Sequence, residues 1–143
     1  MIKKFTLTIL LLISSLFASE VNWAKDYQAG LNKAQKENKM MLFIISRDSC
    51  KYCVILKNTT LKNSKIVKAL NKNFISVTAW INENDYIPMD LRQNTPGLPG
   101  IWFIQPSGEP MFQPIMGYLE EDKFLEALAI VQEEFKKQNK GKK

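Results

Sequence analysis

The chain has 143 residues, 45 % of them hydrophobic, which gives room for one globular domain. Its formal charge is +6, with no histidine and two cysteines. Two cysteines cannot staple a disulfide-rich scaffold, and a closed zinc site within one chain would have to recruit carboxylates, so the core must hold by packing.

Met1-Ile2-Lys3-Lys4 is a short positive start, Phe5 to Phe17 an apolar run broken only by Thr and Ser, and Ala18 a small residue before a cut. That layout predicts a signal peptide over residues 1–18 and one domain over residues 19–143. The apolar run is well short of the roughly 20 residues that cross a bilayer as a helix, so an uncleaved anchor is the lesser alternative. Export to the bacterial periplasm would place the cysteines where disulfides persist. It also argues against a nucleic-acid partner for the lysines at 136, 137, 140, 142 and 143, which read as a solvated carboxyl terminus.

A first helix is expected with Ser19 or Asn22 as cap and Trp23, Tyr27, Leu31 and Ala34 on one face, ending in the Lys36–Lys39 stretch. Met40 to Ile45 is apolar throughout and of strand length, as for a central strand covered on both sides. Ser46 to Ser49 then turns the chain, with Ser49 as cap and Cys50 as first helical residue. The helix that follows should run to about Thr60, and Ser64 should cap another carrying Ile66, Val67 and Leu70. Phe74 to Ile81 alternates as a second strand. A loop follows, with a short helix over Met89 to Asn94, and Ile101 to Gln105 is a third strand. Pro106-Ser107-Gly108-Glu109 is a turn into an edge strand over Met111 to Ile115, where Pro110 and Pro114 restrict pairing. The last helix begins among Glu120, Glu121 and Asp122 and buries Phe124, Leu128, Val131 and Phe135. The strand–helix–strand unit implies a parallel crossover and the turn-linked pair an antiparallel edge. The fold class is therefore α/β: a mixed sheet flanked by helices on both faces.

Cys50-Lys51-Tyr52-Cys53 follows the central strand. Such a pair can close a disulfide across the first turn of a helix, whose free N–H groups and dipole stabilise an attacking thiolate. The chemistry this suggests is thiol–disulfide exchange with cysteines of other proteins. Half a zinc site and a copper-binding loop are weaker readings, the latter for want of an adjacent methionine. An inert structural bridge is the stronger rival, but a loop this small gains little from restricting the unfolded chain.

These residues together resemble the thioredoxin superfamily, and within it the exported thioredoxin-like proteins. The likeness rests on Trp23 to Tyr27 with Met40 to Phe43, on Cys50 to Cys53, on Gly97-Leu98-Pro99 ahead of Ile101 to Ile104, and on Gly117 to Leu128. The resemblance implies a thioredoxin-like fold in which Cys50 is the nucleophile and Cys53 resolves the mixed disulfide. It also implies a cis Pro99, with Lys51, Tyr52, Leu98 and Pro99 facing the substrate and Leu98 pairing with a bound peptide. No cofactor and no metal are implied. Partners would be periplasmic proteins bearing disulfides, and a membrane electron donor if the protein is a reductase. No segment reads as a dimerisation domain, so a monomer acting as reductase or isomerase is expected. A disulfide-donating oxidase and a non-catalytic peptide-binding module built from Tyr52, Leu98 and Trp102 are the alternatives, although Trp102 within a strand reads first as core. Three positions depart from thioredoxin: Ile44 stands where it has a buried acid, Ser49 where it has Trp, and Lys51-Tyr52 where it has Gly-Pro. Without histidine, stabilisation of a thiolate falls to helix N–H groups, Ser49, Lys51 and Arg47, each exposed charge worth well under about 1 kcal/mol.

Overall fold

Met40–Ser46 forms strand β1, buried along its whole length at the interior of a four-stranded sheet of order β2-β1-β3-β4. The computed structural model describes residues 20–142. The signal peptide over residues 1–18, and Ser19 as a cap, lie outside the described residues. Strand β2 (Phe74–Trp80) runs parallel to β1, with Met40 opposite Phe74 and Ser46 opposite Trp80. Strand β3 (Gly100–Ile104) is antiparallel to β1 and places Gly100 opposite Ile45, while β4 (Ile115–Met116) closes the other edge.

The period of two in a strand explains why β1 can be apolar throughout. Met40, Leu42 and Ile44 enter one core with Phe74, Ile101 and Phe103; Met41, Phe43 and Ile45 enter another with Val77, Ala79, Trp102 and Ile104. Helices cover both faces. Helix α2 (Lys51–Asn58), α3 (Ser64–Asn73) and α5 (Glu121–Lys140) seal the first core through Leu56, Ile66, Val67, Leu70, Phe124, Leu128 and Val131. Helix α1 (Tyr27–Glu37) and the short α4 (Met89–Gln93) seal the second through Tyr27, Ala34 and Leu91. Each fully buried aliphatic or aromatic side chain contributes on the order of 1.5–3 kcal/mol, so the two layers stabilise the sheet together.

Three boundaries differ from the sequence reading, each for a local reason, while α1 ends within the Lys36–Lys39 stretch as expected. Helix α1 starts at Tyr27 because the Asp26 carboxylate accepts the Ala29 N–H at 2.8 Å; Asn22 caps nothing there, and Trp23 instead bridges Ser76 of β2. The helix stops at Asn38, whose left-handed backbone (φ 49°) turns its N–H back to the carbonyls of Ala34 and Gln35. Asn63, not Ser64, caps α3, accepting from Lys65 and Ile66, and a 3₁₀ turn over Thr60–Lys62 precedes it. The edge strand is two residues long and lies later than expected, at Ile115–Met116. Pairing opens at Ile104 with Pro110 and at the Met111 N–H to the Phe103 carbonyl, then lapses before Pro114.

Candidate functional site

The site forms where β1 ends. Ser46 is still buried, and exposed Arg47, Asp48 and Ser49 carry the chain over the edge of the sheet to Cys50. Cys50, not Ser49, is the N-cap of α2: its backbone is extended (φ −86°, ψ 113°) and its Sγ accepts the Cys53 N–H at 3.2 Å. The sulfur occupies the place of the usual capping oxygen, so an orphan N–H of the first turn is directed at it. No acid lies in that first turn to oppose a negative sulfur. Ser49 makes no capping bond.

Cys50 and Cys53 are joined as a disulfide, with Cα atoms 5.2 Å apart. Their surroundings differ. Cys50 is half-buried, whereas Cys53, one turn into the helix, is 4 % exposed. Between them Lys51 and Tyr52 project outward, Tyr52 with 54 % of its surface exposed. Leu98 and Pro99 immediately precede Gly100, which pairs with Ile45, and so lie at the same end of the sheet as the turn into Cys50. The Leu98–Pro99 peptide bond is cis, Pro99 is buried, and its carbonyl accepts the Gly117 N–H at 2.9 Å. Leu98 is half-buried against the second core. Trp102 is 4 % exposed and donates its indole N–H to Thr95 Oγ1 at 2.9 Å, so it belongs to the core rather than to a surface beside the cysteines.

Behind Cys53 lies a cavity of about 210 Å³ bounded by Ile44, Ser46, Thr78, Trp80 and Lys57, among others. Ile44 is 3 % exposed there. Lys57 lies four residues beyond Cys53 on α2, and its ammonium stands 5.3 Å from the centroid of the Trp80 ring. Sequence reasoning passed over Lys57, although the i, i+4 spacing from Cys53 marks it as a neighbour on the same helix face. Lys57 also interacts with an acidic group, Glu83, that follows β2. Partial desolvation and the nearby Asp48 carboxylate hold the Glu83 carboxyl above its ordinary value, Asp85 adds to this, and Lys57 pulls the other way. Asp48 in turn accepts from the Asn82 amide at 3.2 Å. Among the described residues, no three His, Cys, Asp or Glu side chains converge into a set that could hold a metal ion.

Comparisons with known proteins agree with this architecture. Anterior gradient protein 3 from Mus musculus is 28 % identical over 95 residues, covering 66 % of this chain and 56 % of that protein. The chain thus spans about half the length of that relative. A solved thioredoxin from Thermus thermophilus superposes with a TM-score of 0.65 at 22 % identity, over 79 % of this chain and 87 % of the other. A disulphide isomerase from Xylella fastidiosa gives 0.60 at 15 % identity, over 79 % and 98 %. The thioredoxin-like family model matches residues 22–106, well over half of the sequence and inclusive of both cysteines and Pro99, and the chain belongs to the thioredoxin-like family.

Proposed function

We propose that this protein is an exported thiol–disulfide oxidoreductase that reduces or isomerises disulfides of periplasmic proteins through Cys50 and Cys53. The observation that carries the reading is the placing of the two sulfurs. Cys50 caps α2, with a backbone N–H aimed at it and solvent beside it, while Cys53 is buried one turn deeper. A helix N-terminus favours the thiolate, and the thiolate is the attacking species. In the reduced protein Cys50 would attack a client disulfide, forming a mixed disulfide and expelling one client thiolate. Cys53 would then attack Cys50, re-forming the Cys50–Cys53 bond and expelling the second client thiolate. Two electrons pass to the client, and the protein ends oxidised.

Leu98 and Pro99, at the same end of the sheet, would offer backbone to an extended client segment, with Lys51 and Tyr52 beside it. Regenerating the dithiol requires a donor outside this chain, for which a membrane protein passing electrons across to the periplasmic side is the natural class. Export rests on the pattern of residues 1–18. A disulfide-donating oxidase is the rival with the same site, and equilibrium of Cys50–Cys53 against glutathione separates the two. The burial of Trp102 removes one of the three side chains that a purely peptide-binding module would use.

The test is a Cys53→Ser variant expressed in cells. Cys50 should then accumulate in mixed disulfides with client proteins, visible as adducts that collapse on reduction and vanish in the Cys50→Ser, Cys53→Ser double variant. An absence of adducts, with the variant folded and exported, would overturn the proposal.

A further inference from the structure

The cavity behind Cys53 raises the question of how a buried thiol becomes a nucleophile. Burial in apolar surroundings disfavours a thiolate, and Cys53 is 4 % exposed against Ile44 and Leu56. No carboxylate lines the cavity; the charged group that does is Lys57. Its position is set twice over, by the i, i+4 relation to Cys53 on α2 and by the Trp80 ring beneath its ammonium. Ser46 and Thr78 add hydroxyl-bearing side chains to the wall, and a space of about 210 Å³ has room for several waters.

We propose that Lys57 is a positioning residue for the resolving step: its ammonium, held over Trp80 at the cavity wall, stabilises the Cys53 thiolate, and the thiol proton leaves through the cavity to solvent. This rests on the oxidoreductase reading. The step balances as before: the Cys53 S–H bond is lost to water, a Cys50–Cys53 bond forms, the Cys50–client bond breaks, and the client thiolate departs with the electron pair. Glu83, after β2, is close enough to Lys57 to interact with its charge, and Asp48 before Cys50 and Asp85 cluster with Glu83. This acidic cluster limits the reach of the Lys57 charge, so the effect is that of a partly screened cation.

The test isolates Cys53 in a Cys50→Ala background and follows thiolate absorbance in the ultraviolet against pH, with Lys57, Lys57→Gln and Lys57→Arg compared after circular dichroism has shown each to be folded. Lys57→Gln is expected to raise the Cys53 pKa by about half a unit to one unit, and Lys57→Arg to restore it. In the two-cysteine protein reacting with a chromophoric aromatic disulfide, the first thiolate should be released at an unchanged rate. The second should be released about two- to fourfold more slowly in Lys57→Gln, since a higher pKa also makes the residual thiolate more nucleophilic. An unmoved Cys53 titration, an Arg variant no better than Gln, or slowing confined to the first release would each overturn the role of Lys57. Failure of Cys50 to form any mixed disulfide would instead overturn the parent reading, and the Cys53 titration would still report on Lys57.

Discussion

At Cys50 one sulfur serves as helix cap and as half of the disulfide, so the group that fixes where α2 begins is the one we propose as the nucleophile. A capping hydroxyl or carboxylate at Ser49 would have moved the orphan N–H groups off the sulfur. The sequence could name the pair but not this one-residue shift, because Ser and Cys compete for the same cap and only the backbone path over the edge of the sheet selects between them. Tyr27 shows the effect of burial on a titrating group. Burial first, then the charges of Tyr86 and Glu109, holds its phenol above the ordinary value. The folded state therefore binds this proton more tightly than the unfolded chain. The stabilisation is complete below about pH 10, where the unfolded phenol is still protonated, and is lost as pH rises through the folded value. Urea denaturation between roughly pH 9 and 11 should show the parent protein losing stability more steeply than Tyr27→Phe; equal slopes would contradict this account.

At the scale of elements, the apolar run of β1, the amphipathic faces of α3 and α5 and the turn at Ser107-Gly108 were legible because each repeats or punctuates within a few residues. Three features were not. Trp23 fits the period of α1 but is drawn away to β2, a contact across 53 positions of sequence that periodicity cannot see. The edge strand slid to Ile115–Met116 because prolines lack the N–H a ladder needs, and which carbonyls remain to be paired depends on β3. The third is the seat of α1 on the sheet, which depends on Gly30: a Cβ there would run into Val77 Cγ2 and come within 2.9 Å of Met41 Sδ. Gly30→Ala, a favourable change for an exposed helix, is therefore expected to destabilise by about 1–3 kcal/mol through displacement of α1 from β1 and β2. Thermal or urea unfolding measures this, and a gain in stability would show that the helix–sheet contact has slack.

For the whole molecule, redox direction and stability are one quantity. The potential of Cys50–Cys53 differs from that of an unfolded dithiol by the difference in folding stability between the oxidised and reduced proteins. A reductase should be more stable with the bond closed. Urea midpoints are thus expected to be higher for the oxidised than for the reduced form, and the reverse order would favour the disulfide donor. Lys57 belongs to this scale too, since its meeting with Cys53, Ser46, Thr78 and Trp80 requires α2, β1 and β2 to be assembled.

What the amino-acid sequence determined alone was local in origin: a mixed sheet with a buried central strand, helices on both faces, and a cysteine pair at the head of a helix. Hydrophobic period, turn residues and two-residue cysteine spacing each act within a window of a few residues, and so survive without knowledge of the fold. The tertiary structure decided which sulfur caps the helix, which is shielded, and what borders the shielded one. Those depend on the ends of β1 and β2 meeting α2, and on the distance between groups far apart in the chain, which governs electrostatic coupling and has no signature in any single segment.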